Sequence, residues 1–360
     1  MKDIQSKFEL QTLSSIKPCL NQTWRWKKVL PSVGVAFIYG PPAAGKTFFS
    51  LYVGLSIAAG RSIAGEKTTQ CGVVYCAAEA GNGVKTRVSQ AKSSMNLQDT
   101  TPFSLITVAP NMGEKDGDTE ELIRAIKLAE ERGQTQFKVV FLDTLARVTT
   151  GLDENSTRDA GIFITNAERL AHELNALVIV VHHSGKIVEN GMRGSSALLG
   201  AANTVLKIAK RVDYSWVNIE KQRDGSDELG FSFQLKTVDV GTDQDGENVT
   251  TCVLDKITTL QRSDAKSLNS KKQNLNDRKF NASLDQCLKS HGREIPLQDG
   301  TITMAVERRT LADQFVSTES DAQKPSRKRA FARGLKAAID RQEVGSSKID
   351  GVDMIWRLEK

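Results

Sequence analysis

No apolar run in this sequence approaches the ~20 residues that a membrane-spanning helix needs. The most apolar stretches, Ala176–Val181 and Val139–Leu142, have the length of core strands. The opening MKDIQSKFEL has no apolar centre, so no secretory leader is expected and the chain reads as cytoplasmic, without a membrane partner. Cysteine is also sparse: five are scattered along 360 residues. Cys71 and Cys76 fall on one predicted strand with no second pair to complete a zinc site, which points to reduced core thiols. No repeat of 20–50 residues is present, so solenoids and propellers are excluded. What remains, with 39% hydrophobic and 26% charged residues, is a soluble globular chain of two to three domains.

Charge is unevenly distributed. Residues 266–360 hold 19 Lys+Arg and 13 Asp+Glu, while residues 1–265 balance at 30 each, so the whole +6 lies in the last quarter. A localised basic surplus of this kind points towards nucleic acid, with a solvated lysine-rich tail as the alternative.

Five apolar runs, 33–40, 71–79, 103–109, 137–143 and 177–183, alternate with helical patterns over 46–59, 83–96, 118–132 and 157–176. Continuous runs rich in β-branched residues suit parallel strands buried on both faces. The alternation therefore predicts an α/β fold, an open, mainly parallel sheet flanked by helices. After Asn203 the runs 204–212, 214–223, 230–240 and 249–257 are joined by short turns, which predicts an antiparallel extension. In the stretch "IEKQRDG", a strand over Trp216–Arg223 would put Val217, Ile219, Lys221 and Arg223 on one face. Its two cations would sit roughly 6.6 Å apart at ~3.3 Å per residue, before a hairpin turn at Asp224-Gly225. An exposed basic hairpin is the ordinary reading of such a tip.

"GPPAAGKT", Gly40 to Thr47, matches G-x-x-x-x-G-K-[ST] at a strand-to-helix junction. Backbone N–H groups of such a loop wrap phosphates, Lys46 reaches the β/γ oxygens, and Thr47 offers a hydroxyl to Mg²⁺. Pro41 and Pro42 have no N–H, so the cradle comes from Ala43, Ala44, Gly45, Lys46 and Thr47. Gly40 and Phe48 bound the nucleotide-contacting set. Asp143 ends the fourth run, where a carboxylate can hold the magnesium, or cap a helix. Glu79 ends the second run, where an acid can orient an attacking water or simply lie on the surface.

In this order, "GPPAAGKT", "VVYCAAEAG", "VVFLDTLAR", "VIVVHHSGK", "RGSSALLGAAN" and "KQRDG" resemble the RecA-like ATPases that form hexameric rings. That group holds the DnaB-type replicative helicases and the RepA-type plasmid helicases, and the likeness spans residues 31–260. The resemblance implies a RecA-like P-loop NTPase core using ATP and Mg²⁺, with Glu79 as the catalytic base. It implies that Arg223 is an arginine finger, with Lys221 its companion, reaching the γ-phosphate held by the neighbouring subunit. It also implies a γ-phosphate sensor in the pair His182-His183, His182 being the first candidate. The loop over 184–194 would then line a central channel, with Lys186 and Arg193 on the backbone of single-stranded DNA. The aromatic platforms usual in the group are not evident there, so contact would rest on charge.

Residues 263–277 are polar and non-periodic and read as a linker between a 31–262 domain and a 278–360 domain, with 1–30 as an N-terminal strap. Three helical patterns, around Phe280, Leu311 and Phe331, precede a hairpin centred on Asp350-Gly351, which resembles a winged-helix domain. Residues 324–336 carry six cations, with Arg327, Lys328, Arg329 and Arg333 the candidates for phosphate contact with duplex DNA. A docking module for a replication protein, or a cap that stabilises the ring, is the alternative. Together these features imply a homo-oligomeric, hexameric ring helicase moving on single-stranded DNA for a plasmid, phage or other mobile element. A nucleotide-switched loader, or a DNA-binding regulator without unwinding activity, remains the rival class.

Overall fold

The computed structural model describes residues 11–18, 21–79, 81–115, 117–133, 135–184, 192, 194–211, 214–261, 280–297, 300–316, 324–340 and 343–358. Contacts divide the chain into two units, Met1–Arg262 and Ser263–Lys360.

In the first unit, β1 (Trp24–Trp26) and β2 (Leu30–Pro31) form a small antiparallel strap. The main strands are β3 (Gly34–Gly40), β4 (Gly72–Ala77), β5 (Phe103–Ile106), β6 (Phe137–Asp143), β7 (Leu177–His183) and β8 (Thr204–Lys210). The sheet continues with β9 (Ser215–Gln222), β10 (Leu229–Thr242) and β11 (Asn248–Gln261). Its nine strands lie in the order β11-β10-β9-β8-β3-β7-β6-β4-β5. The six from β8 to β5 pair in parallel, and β9, β10 and β11 extend the sheet antiparallel. This is the open, mainly parallel sheet with an antiparallel extension that the alternating apolar runs predicted.

The helices are α1 (Lys46–Ala58), α2 (Gly81–Ser94), α3 (Thr119–Gly133), α4 (Leu145–Val148), α5 (Thr157–Leu174) and α6 (Ser196–Ala201). They divide between the two faces because each parallel strand is apolar at successive positions. On one face, Phe49, Val53 and Ile57 of α1 pack on Ile38, Val73, Phe141, Leu177 and Ile179, joined by Trp26 of the strap. On the other, Phe163, Ala167 and Leu170 of α5 and Leu198 of α6 pack on Phe37, Tyr39, Val140, Val178 and Val180. Helix α5 starts where Ser156 accepts the Asp159 N–H and stops at Asn175, whose φ of +46° cannot continue a helix.

The β9 strand departs from simple alternation. Its register with β8 shifts between Leu206↔Ile219 and Val205↔Lys221, so Glu220 is an extra, bulged residue. A bulge moves the side chains beyond it to the opposite face. Val217 and Ile219 face α1, whereas Lys221 and Arg223 turn to the α6 face, not the common face that alternation predicted. The chain reversal also takes residues 223–228, more than Asp224-Gly225 alone.

In the second unit, a helix over 280–291 (α7) precedes β12 (Arg293–Pro296), β13 (Ile302–Glu307), α8 (Arg308–Val316), α9 (Lys324–Asp340), β14 (Val344–Ile349) and β15 (Val352–Arg357). Phe280, Phe315 and Phe331 bring the three helices together, with ring centroids 5.8 to 6.5 Å apart. The hairpin turns at Asp350-Gly351 as expected. The β12–β13 pair was not foreseen; it completes a four-stranded antiparallel sheet, β12-β13-β15-β14. Among the described residues no helix is long and apolar enough to cross a membrane.

Phe141 is fully buried, with its ring centroid 5.1 Å from that of Tyr75. Phe141→Ala should lower the unfolding free energy of the first unit by about 3–5 kcal/mol in denaturant titration of the full chain. A loss under ~1 kcal/mol would contradict the packing described.

Candidate active site

A parallel sheet brings its carboxyl ends to one edge, and crevices there commonly hold ligands. At that edge β3 runs into the Gly40–Thr47 loop and then α1. Gly45 caps α1 with φ +86°, a left-handed backbone that suits glycine. Gly40 has a different reason: a Cβ there would lie 2.3 Å from the Ile208 carbonyl oxygen of β8. Lys46 is almost fully buried, and its Nζ donates to the carbonyls of Gly40 and Pro41 at 3.0 Å each. Burial pushes its pKa below the usual lysine value, opposed by the negative charges of Asp143 and Glu79. Pro42 and Ala43 stay exposed, while Ala44 is buried and its carbonyl accepts from Ser215 Oγ at 2.9 Å. Thr47 and Phe48, half-buried, begin the helix.

Asp143, at the end of β6, is 5% exposed. Burial raises its pKa, countered by hydrogen bonds from Tyr75 and Thr47. Tyr75 Oη donates to Oδ2 at 2.6 Å, while Oδ1 is buried without a hydrogen-bond partner. A buried carboxylate with an unsatisfied oxygen is costly unless a cation meets it. Beside it the Thr47 hydroxyl offers a second hard oxygen, so this donor set fits Mg²⁺.

Glu79 lies just beyond β4, and its Oε1 accepts from Thr144 Oγ1 at 2.6 Å. His183 Nε2 is 3.8 Å from the same oxygen. The carboxylate is therefore held between the ends of β6 and β7 while its side chain remains 41% exposed, open to water. His182 lies elsewhere. It shares its parity with Val178 and Val180, is 1% exposed on the α5 face, and is level with Tyr39. The histidine beside Glu79 is thus His183.

The sequence profile of the AAA domain family matches residues 6–187, about half of the chain. The chain belongs to this AAA domain family. No curated protein matches it. Among solved structures, the ATPase domain of G40P aligns at 15% identity, covering 61% of this chain and 84% of that one, with a TM-score of 0.45. The RadB recombinase aligns at 17% identity, covering 57% and 90%, with a TM-score of 0.40. This AAA domain chain is accordingly a P-loop ATPase, with the Lys46, Thr47, Asp143 and Glu79 side chains converging where its phosphate loop opens.

Lys221 and Arg223 are not part of that cluster. The register Ala36↔Thr204 and Thr204↔Gln222 puts them at the amino-terminal edge of the sheet. At ~3.3 Å per residue, Lys221, level with Phe37 through Val205, lies roughly 10 Å along the strands from Gly40, and Arg223, two residues further on, about 16 Å. There Lys221 Nζ donates to the carbonyls of Leu199 at 2.6 Å and Gly200 at 3.0 Å, and Arg223 Nη2 to Gly200 at 3.4 Å. Cations at the carbonyl end of α6 are favourably placed. Burial, and then the Arg223 charge, lowers the Lys221 pKa. Lys186 and Arg193 lie outside the described residues, as do the side chains of Arg327, Lys328 and Arg329 on α9. Arg333 is exposed on that helix.

Tyr75 and Thr144 were not singled out from the sequence, and His183 stood second to His182. A tyrosine within an apolar strand and a threonine after a strand-terminal aspartate look like ordinary core and cap residues. The choice between adjacent histidines needs the knowledge of which strand face α1 covers.

Glu79→Gln should bind an ATP analogue as the parent does while hydrolysis falls by roughly 10²–10⁴-fold, the usual worth of a general base. Thr144→Val should preserve binding and cut turnover less. Parental turnover in Glu79→Gln would move the base elsewhere.

Proposed function

We propose that the chain is a ring-forming, ATP-driven translocase on single-stranded DNA, and so a replicative-type helicase of a plasmid, phage or other mobile element. The observation that carries this reading is the separation of charges across the sheet. The phosphate loop, Asp143 and Glu79 share the carboxyl edge, whereas Lys221 and Arg223 occupy the amino edge. A chain cannot fold that pair onto its own phosphate loop without unzipping β8 and β9. Each site is then completed by a neighbouring copy, which in a closed ring is the next subunit.

In each site Lys46 exchanges the Gly40 and Pro41 carbonyls for β/γ-phosphate oxygens. Thr47 and Asp143 would hold Mg²⁺, which when bound would neutralise charge on those phosphates. Glu79, oriented by Thr144, draws the proton from the attacking water, and His183 reads the change in charge beside it. From the neighbour, Arg223 spreads its guanidinium fork over the transferring phosphoryl group with Lys221 alongside, a contribution worth ~10³–10⁵ in rate. The segment after His183, with Lys186 and Arg193, carries the movement to the DNA backbone. The second unit, a winged-helix-like module with Arg327, Lys328, Arg329 and Arg333 on α9, adds phosphate contacts to duplex DNA.

Arg223→Ala should bind ATP normally and hydrolyse it poorly, and Lys46→Ala should be inactive alone. Refolded together into mixed rings confirmed by mass, the two should recover part of the ATPase, because good fingers then meet good phosphate loops. No activity above the sum of the separate variants would exclude a finger acting between chains.

Removing residues 263–360 should leave a folded ATPase with weaker DNA binding and a shallower slope of log affinity against log salt, since fewer counterions are released. An unchanged slope would mean that the basic unit does not touch DNA.

A further inference from the structure

Strand β9 spans the sheet from one functional edge to the other. At its start Ser215 Oγ donates to the Ala44 carbonyl within the phosphate loop. At its far end Gln222 Nε2 donates to the Val29 carbonyl of the strap at 2.8 Å, and the Arg223 N–H donates to the Asn203 carbonyl at 2.9 Å. Between them lies the Glu220 bulge. A bulged residue leaves the ladder locally unpaired, so the direction taken by the strand beyond it depends on the groups that hold its side chain.

That hold comes from the phosphate-loop strand. Tyr39, fully buried and immediately before Gly40, donates from Oη to Glu220 Oε2 at 2.5 Å. Lys207, between them on β8, lies 3.4 Å from Glu220 Oε1, with its ammonium 5.6 Å from the Tyr39 ring centroid. Burial and the Glu220 carboxylate both raise the Tyr39 pKa, so the phenol stays protonated and donating. A buried phenol without this acceptor would be unsatisfied, which keeps the contact closed.

We propose that the Tyr39–Glu220 hydrogen bond is a positioning latch that aims Lys221 and Arg223 at the neighbouring chain and couples that aim to the chain's own phosphate loop. The path is short: Gly40, whose carbonyl holds Lys46, then Tyr39, then Glu220, then the pair. When Lys46 leaves Gly40 for a phosphate, the end of β3 is free to shift, and the bulge shifts with it. Each subunit thereby offers its cations next door according to the nucleotide it holds itself. The proposal rests on the reading that Arg223 acts between chains.

The test places Tyr39→Phe on one or the other chain of the mixed rings. Lys46→Ala mixed with Arg223→Ala gives the reference rescue. In Lys46→Ala/Tyr39→Phe mixed with Arg223→Ala, the latch is missing from the chain that supplies the finger. The rescue should fall by roughly ten- to hundredfold, the order expected for misplacement near 1 Å. In Lys46→Ala mixed with Arg223→Ala/Tyr39→Phe, the latch is missing from the chain whose finger is unused, and the rescue should equal the reference. Glu220→Ala, moved between chains in the same way, should reproduce the asymmetry while analogue affinity stays unchanged. Equal rescue in both mixtures, or equal loss in both, would overturn the latch. A loss confined to the second mixture would show Tyr39 acting on its own phosphate loop and would overturn it too. Failure of the reference rescue would instead sink the reading of Arg223 as a finger between chains, and the latch with it.

Discussion

Six neighbouring strands that run in one direction must all end at the same edge of their sheet, and the candidate active site is a consequence of that geometry. The edge collects the loop after β3, the carboxylates after β4 and β6, and the histidine at the end of β7 within reach of one another. None of these groups is near another in sequence. Keeping the strands parallel requires helices on both faces, because the crossovers must return over the sheet. This requirement accounts for the two apolar clusters, one under α1 and one under α5 and α6.

Burial at this edge shapes the chemistry. Lys46 and Asp143 are both withdrawn from water, which disfavours the charged form of each. Each is supported by groups that tolerate the other's charge: backbone carbonyls for Lys46, and Tyr75 for Asp143. The carboxylate oxygen left without a donor marks where a cation belongs. Glu79, by contrast, keeps a water-facing side, and a single hydroxyl from Thr144 sets its direction. The proposed function accordingly assigns metal binding and water activation to two carboxylates in different surroundings.

The antiparallel extension solves a separate problem. In the proposed function Arg223 serves another chain, so it must point away from its own phosphate loop, and strand β9 suits that role. It runs back from Ala44 to the opposite edge, and its bulge sends Lys221 and Arg223 to the α6 face, onto the carbonyls of Leu199 and Gly200.

The sequence by itself determined the order of the main strands and helices of the first unit, the phosphate loop and the strand-terminal Asp143, because these depend on local pattern. Apolar runs, a glycine-rich turn and a strand-terminal acid read the same in any context. It also showed that the end of the chain folds, although the β12–β13 pair was not foreseen, since β12 is only the four residues Arg293–Pro296 and ends in proline. Only tertiary structure decided which of two adjacent histidines meets Glu79, since both faces of β7 are apolar and alternation carries no sign there. Only tertiary structure could place Lys221 and Arg223 on the α6 face, because one bulged residue reverses the parity of every residue after it. Tyr39 and Glu220 lie far apart in the chain, and their pairing exists only because β8 inserts between β3 and β9 and brings both to the same face of one sheet.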